Sequence, residues 1–312
     1  MFERLEKWEN KLNSCIRCSY CLEHCPVYKY SRWESDAPRA KLAILHGLIA
    51  GEISVNSAAA ERLFECFYCK RCENSCSAGI PLTEIFTDAR LDFSEAGITG
   101  EGTTVKTDTA KCVKCFACVN VCPHEARSLD DGKMVTDPSA CQGCGMCIDV
   151  CSACGITMYK EMGFSPSVIH AKVSEYLKNA PEEGKIVIFG CNWSTYPGMQ
   201  NSRVAAEITD TYDEVAVTMC TGRIKTDMLY QILEEGAAGI LIAGCPEDEC
   251  EHKGSTYIQK RLPALHETLT KAGIRPERIQ FREVPKGDSA AFKKAYEEYT
   301  SLVRNNFTEC CT

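Results

Sequence analysis

Four runs of cysteine, each spaced C-x₂-C-x₂-C-x₃-C, constrain this chain more than any other feature. They are Cys15, Cys18, Cys21 and Cys25; Cys66, Cys69, Cys72 and Cys76; Cys112, Cys115, Cys118 and Cys122; and Cys141, Cys144, Cys147 and Cys151. This is the spacing of bacterial 4Fe–4S ligation. Three thiolates lie on one tight loop and hold three irons of one cubane. The fourth has turned into a helix, points away, and serves the other cluster of its pair. The crossed assignment gives Cys15, Cys18, Cys21 and Cys76 for one cluster and Cys66, Cys69, Cys72 and Cys25 for a second. Cys112, Cys115, Cys118 and Cys151 form the third set, and Cys141, Cys144, Cys147 and Cys122 the fourth. Structural zinc uses paired C-x₂-C units and leaves the third cysteine of each run without a role.

The compartment matters to this reading, because 23 cysteines in an oxidising space would mean disulfides. The first residues are charged and carry no apolar core of a signal peptide, and no apolar run is long enough to span a membrane. The chain reads as cytoplasmic, where clustered thiols mean metal or catalysis. At 312 residues it can build two or three domains with ordinary cores and needs no disulfide staples. A formal net charge of −8 without a Lys/Arg run argues against nucleic acid or an anionic membrane as partner.

In chain order, Phe2, Leu5, Trp8 and Leu12 recur at helical spacing and predict an amphipathic helix over residues 1–14. The first two runs are separated by 40 residues. This insert reads as helical: Pro38 opens a helix, Leu42, Leu45, Leu48 and Ile49 give its apolar face, and Gly51 stops it. A second helix is predicted from about Ser57 to Glu65. Residues 1–99 therefore read as an all-helical two-cluster module. The last two runs are only 18 residues apart, enough for a turn at Asp130-Asp131-Gly132 and a short hairpin. Residues 100–160 read as a small βαβ-type ferredoxin module.

The remainder, 161–312, changes pattern. A linker helix is predicted over 162–180, with Ile169, Val173, Tyr176 and Leu177 on one side, and Pro181 to Gly184 marks a boundary. Apolar strands follow at 185–190, 214–219, 239–244 and 278–284, with helical stretches between them. That alternation implies a parallel sheet covered on both faces. The fold class is thus multidomain α + α/β. Cys191, Cys220 and Cys245 each follow a strand, so a parallel sheet brings them to one edge, and Cys250 is within reach on the last loop. Four converging thiols make a metal site; buried apolar cysteine and four-thiolate zinc are the competing readings. Cys154 reads as a core residue, and Cys310 and Cys311 as non-ligands in a polar tail. His24, His124 and His170 have no partner pattern, and Arg223 and Arg261 read as part of a solvated face, with a salt bridge to a partner as the alternative.

These residues carry two family resemblances. The helical module resembles the C-type subunit of heterodisulfide reductases and, more distantly, iron–sulfur subunits of the succinate dehydrogenase type, through Arg39-Ala-Lys41 and the stretch 64–72. Residues 185–300 resemble the delta subunit of methyl-viologen-reducing hydrogenases through Gly190-Cys-Asn-Trp193, Met219-Cys-Thr-Gly-Arg223, the stretch 243–250 and Gly273-Ile-Arg-Pro-Glu-Arg278. That family usually has Cys-Asn-Trp-Cys, and Ser194 stands here in the last position. The resemblance implies a 2Fe–2S centre on Cys191, Cys220, Cys245 and Cys250, beside four 4Fe–4S clusters. It implies an electron-transfer subunit working with a flavin-bearing subunit of heterodisulfide reductase A type. A hydrogenase, a formate dehydrogenase or another anaerobic oxidoreductase would be the second partner. No G-x-G-x-x-G or Walker A motif is present, and the paired Cys-Cys-Gly repeats of a heterodisulfide-cleaving subunit are missing. The alternatives are a catalytic iron–sulfur reductase subunit with an open iron, or a redox- or metal-sensing interaction protein.

Overall fold

The computed structural model describes residues 2–160, 162–181, 185–195, 207 and 213–307. The chain is mixed α/β and divides into two compact units, residues 1–143 with 150–162, and residues 144–149 with 163–312. Glu182, Glu183 and Gly184 of the predicted boundary, and Cys310 and Cys311, lie outside the described residues.

The first unit begins with helices alone. The predicted single helix over 1–14 is two short ones, Glu3–Glu6 and Glu9–Asn13, with Leu5 and Leu12 buried and Phe2 and Trp8 partly buried. Asp92 holds the first of them, accepting from the Leu5 N–H at 3.0 Å and from the Arg4 guanidinium at 3.0 Å. Helix Pro38–Ile49 has Pro38 at its first position, where the missing N–H costs nothing. Its Leu42, Leu45 and Leu48 meet Leu63 and Phe64 of helix Ser57–Phe64 and Ile85, Phe86, Ala89 and Phe93 of helix Leu82–Glu95 in one core. Asn56 caps the second of these, accepting from the Ala59 N–H at 2.9 Å.

Strands enter at residue 105. β1 (Val105–Thr107) pairs antiparallel with β4 (Ile156–Met158), and β2 (Arg127–Asp130) with β3 (Lys133–Thr136). The β2–β3 turn is Asp131-Gly132, both at positive φ, as a two-residue hairpin with right-handed strand twist requires. Both pairings are antiparallel, so a βαβ unit in the strict sense, with two parallel strands, is not among the described elements of this region. The segments that join β1 to β2 and β3 to β4 each carry a cysteine run and a short helix, and the strands on either side of them pair antiparallel with other partners.

The second unit is built on a parallel four-stranded sheet of order β6-β5-β7-β8. β5 is Ile186–Cys191, β6 Glu214–Thr218, β7 Gly239–Gly244 and β8 Ile279–Glu283. The period-two alternation of buried strands sorts their side chains onto two faces. Val187, Phe189, Ile240 and Ile242 pack with helices Pro166–Asn179, Thr226–Glu234 and Gly254–Lys271. Ile186, Ile188, Leu241 and Ala243 pack with Phe292, Tyr296 and Tyr299 of helix Ser289–Phe307. The strand order reverses at β5, whose neighbours are β6 on one side and β7 on the other. The crevice outside the carboxyl ends of the strands therefore opens at β5, where open α/β sheets place their ligands.

Candidate metal centres

Each cysteine run owes its curvature to two residues in the left-handed region, one just before and one just after the second cysteine. They are Arg17 and Ser19 (φ 55° and 72°), Tyr68 and Lys70 (52° and 54°), Lys114 and Phe116 (55° and 61°), and Gly143 and Gly145 (63° and 84°). Only the last run uses glycine. Elsewhere a side chain is forced where it costs about 1–2 kcal/mol per residue, and such strain persists where the surroundings over-determine it. Its product is a concave backbone whose N–H groups can face an anion. The N–H groups reach sulfur: Tyr68 donates to Cys66 Sγ at 3.4 Å, and Gly155 to Cys151 Sγ at 3.3 Å.

Among the described residues of the first unit, three cavities lie inside these loops. One of about 360 Å³ is lined by Cys15, Cys18, Cys21 and Cys76. A second of about 360 Å³ is lined by Cys25, Cys66, Cys69 and Cys72. The third, of about 380 Å³, is lined by Cys112, Cys115, Cys118 and Cys151. Each thus gathers three cysteines of one run and the fourth of its partner run. Four soft thiols around a small cavity, with N–H donors at the sulfurs, suit an iron–sulfur cubane. Of the remaining set, Cys122 and Cys141 belong to the first unit, and Cys144 and Cys147 to the second.

Burial differs between the sites. Cys18 and Cys115 are exposed, whereas Cys25 and Cys72 are buried. Burial pushes the Cys69 thiol up to about 12 and the Cys72 thiol well above its ordinary value. It raises Cys25 too, against the opposing charge of Lys41. Lys41 is 1% exposed, lines the second cavity, and donates to the Glu65 carbonyl. Arg90 is fully buried beside the same run. Sequence reasoning did not find Arg90, and read Lys41 only as part of a likeness; a lone cation in a helical pattern carries no signal of burial.

In the second unit, Cys191 ends β5, Cys220 follows β6, and Cys245 follows β7. Register sets Cys191 opposite Thr218 and Gly190 opposite Ala243, so the three strand ends are level. Cys191, Trp193, Cys245 and Cys250 pack as one buried cluster. Hydrogen bonding among the three thiols raises the pKa of Cys245 and lowers those of Cys191 and Cys250, to about 7 and about 6. Cys220 is pushed well up, by burial first and then by Cys191 and Cys250. The cradle is mostly backbone. The Gly222 N–H points to Cys220 Sγ and the Ser255 N–H to Cys250 Sγ, each at 3.5 Å. The N–H groups of Ser194 and Trp193 act on Cys191. Helix Gly254–Lys271 directs its N-terminal partial positive charge at the same sulfurs. Ser194 itself is fully buried beside Cys191.

Three expectations change. Cys154 is exposed, at φ 49°, because it sits on the turn after Cys151 and not in the core. Arg223 is only 2% exposed and donates to the Phe164 carbonyl at 3.3 Å. Arg261 pairs with Asp149 at 3.0 Å, and Asp149 also accepts from the Tyr257 hydroxyl at 2.5 Å and the Thr226 N–H at 3.2 Å. Arg223 is therefore no part of a solvated face, while Arg261, its side chain 37% exposed, stays partly in solvent and is held by its ion pair. Among the described residues no helix is long and apolar enough to cross a membrane.

Comparison with known proteins follows the same divisions. Residues 186–305 match the family model of the methyl-viologen-reducing hydrogenase delta subunit. Residues 11–80 and 104–152 each match a 4Fe–4S dicluster domain. The chain is 34% identical over 193 residues to the A-type subunit of the ferredoxin:CoB-CoM heterodisulfide reductase of Methanosarcina mazei, covering 62% of this chain and 24% of the relative. It is 31% identical over 123 residues to the iron-sulfur D-type subunit of the F420-non-reducing hydrogenase vhc of Methanococcus voltae, covering 39% of this chain and 85% of that protein. A probable glycolate oxidase iron-sulfur subunit of Bacillus subtilis is 32% identical over 89 residues, covering 28% of the chain and 20% of the relative. The chain thus spans about a quarter of the heterodisulfide reductase subunits it matches.

Proposed function

The chain belongs to the methyl-viologen-reducing hydrogenase delta subunit family through residues 186–305, and from that premise we propose that it is an iron–sulfur electron-transfer subunit, related to heterodisulfide reductase and hydrogenase subunits. Its two dicluster domains provide for four 4Fe–4S clusters. The sixteen cysteines of the four runs are the ligands, in the crossed order set out above. Cys191, Cys220, Cys245 and Cys250 hold a fifth, 2Fe–2S centre. The observation that carries the reading is the gathering, in three separate cavities, of three cysteines from one run and one from its partner.

Bound clusters supply one-electron chemistry at potentials set by cluster type, hydrogen bonds to sulfur, net charge and exposure. What the chain does is hold, screen and tune. The left-handed loop residues aim N–H groups at sulfur, burial keeps water from the Cys25 and Cys72 side of one site, and Lys41 adds a positive charge there. A catalytic role would need an incomplete ligand set, and all sixteen ferredoxin-type positions are filled. Electrons pass between a flavin-bearing subunit of heterodisulfide reductase A type and a partner such as a hydrogenase, a formate dehydrogenase or another anaerobic oxidoreductase. The domains serving this are 1–99, 100–160 and 161–312, the first an all-helical and the second a small ferredoxin module. Anaerobic purification with iron and sulfide analysis tests the reading: about eighteen irons per chain are expected for four cubanes and one two-iron centre. Stoichiometric zinc with little sulfide overturns it.

A further inference from the structure

Arg90 is among the most deeply buried side chains of the molecule, with no exposed surface. An arginine stays charged at any ordinary pH, so its burial calls for compensation. All of its hydrogen-bond partners are backbone carbonyls. Nε and Nη2 donate to Leu63 at 3.2 and 3.0 Å, and Nη2 also to Phe64 at 2.9 Å and Cys66 at 3.3 Å. Nη1 donates to the carbonyl of Cys141 at 3.2 Å. The rings of Phe64 and Tyr68 flank the guanidinium, their centroids 4.9 and 4.6 Å from Cζ. Among the described residues no carboxylate pairs with it. Carbonyl dipoles and ring faces solvate a cation but do not neutralise it, and an uncompensated buried charge is strongly destabilising. The anions it can answer are the thiolates of the two runs whose backbones it grips, at the Cys66 and Cys141 carbonyls.

Resting on the ligation reading above, we propose that Arg90 is a positioning residue and shared counter-cation for two cluster-bearing loops. It ties the loop of Cys66 to that of Cys141 and stabilises the reduced, more negative state of what they hold. The joint is reinforced on either side. Thr103 donates from its N–H to the Phe64 carbonyl at 3.1 Å and from Oγ1 to the Cys66 carbonyl at 2.9 Å. Gly102, at φ +46°, lies so close that an added Cβ would stand 2.0 Å from the Phe64 carbonyl oxygen. The two dicluster regions are thereby locked at the cysteines that begin the second and fourth runs. One electron exchanged across the joint oxidises one side and reduces the other by one, with no bond made or broken.

The test uses the full chain, purified anaerobically, as wild type, Arg90→Gln and Arg90→Lys. Readouts are iron and sulfide content, potentiometric titration and EPR spin–spin coupling. Wild type without iron would defeat the ligation reading itself, before any variant is compared. With wild type loaded, Arg90→Gln is expected to keep its iron and to weaken reduction at one or both neighbouring sites about tenfold, about 59 mV for one electron. Arg90→Lys should restore most of that shift, because it keeps the charge, while coupling between the sites falls, because an ammonium cannot span the four carbonyls. Loaded Arg90→Gln with wild-type potentials and coupling overturns the proposal. Should Arg90→Gln fail to hold iron, Arg90→Lys decides: lowered coupling supports the proposal, and wild-type coupling overturns it.

Discussion

Gly254→Ala should empty the C-terminal site while leaving the other clusters in place. Gly254 is the first residue of helix Gly254–Lys271, and a Cβ there would stand 2.2 Å from Cys220 Sγ and 2.7 Å from the Gly222 nitrogen. Ordinary contact between heavy atoms is about 3.5–4.0 Å. The sulfur would have to retreat by roughly 1.3–1.8 Å to reach that distance. Metal–ligand distances tolerate only about 0.2 Å, so the displaced thiolate is lost as a ligand. Relief by moving the helix instead would pull the Ser255 N–H from Cys250 Sγ, so either route damages the site. Overpacking of this kind costs about 1–3 kcal/mol, small enough for the sheet to survive. The assay is iron, sulfide and visible and EPR spectra of the anaerobically purified full chain. Iron should fall from about eighteen to about sixteen per chain, the loss of one two-iron centre, with the 4Fe–4S signals intact. Ser194→Ala is the matched control and should leave all spectra nearly unchanged. Full iron and an unaltered 2Fe–2S signal in Gly254→Ala would refute the placement of Cys220 in the ligand set.

Two further outcomes test other parts of the molecule. Cys25→Ala should damage the cluster of Cys66, Cys69 and Cys72 and spare that of Cys15, Cys18 and Cys21; EPR showing the reverse would contradict crossed ligation. Asp149→Ala should lower the stability of the second unit by about 1–3 kcal/mol in chemical denaturation, since it strands the Tyr257 hydroxyl, the Thr226 N–H and Arg261; an unchanged midpoint would mean that these contacts do not stabilise it.

The sheet was legible because its physics is periodic. Short runs with apolar residues on both faces read as parallel strands covered on both sides, and β5 to β8 lie within a residue or two of where those runs suggested, β5 and β7 fully buried at the centre and β6 and β8 at the edges. The cysteine at each of three strand ends then had to meet the others. The helix in the insert was equally plain, with Pro38 at its start and Gly51, at φ +70°, past its end. What escaped was what depends on distant partners. Arg90 lies in a helical pattern like any surface arginine, and only the carbonyls of Leu63, Phe64, Cys66 and Cys141 make it a core residue. The left-handed residues in the cysteine loops escaped for the opposite reason. Arg17, Tyr68 and Lys114 are poor left-handed formers, so propensity pointed away from the conformation these loops adopt.

The division of the chain departs from its motifs at one place for the same physical reason. By spacing alone, Cys144, Met146, Cys147 and Asp149 belong to the fourth cysteine run, yet residues 144–149 pack with the α/β sheet. Two glycines allow it. A Cβ on Gly145 would stand 2.6 Å from Arg223 Cγ, and one on Gly222 2.8 Å from Met146 Cγ. With neither side chain present, the short helix Met146–Asp149 settles against the turn Thr221–Arg223, and Asp149 is then fastened by Thr226, Tyr257 and Arg261. The seat brings Cys144 close enough that its charge helps to raise the Cys220 thiol, after burial and the nearer Cys191 and Cys250. A charge placed on one of these sulfurs is therefore felt at the other through low-dielectric protein, where Coulomb interactions are screened far less than in water. Cys144 thus lies within electrostatic reach of Cys220, although nothing in their spacing along the chain connects them.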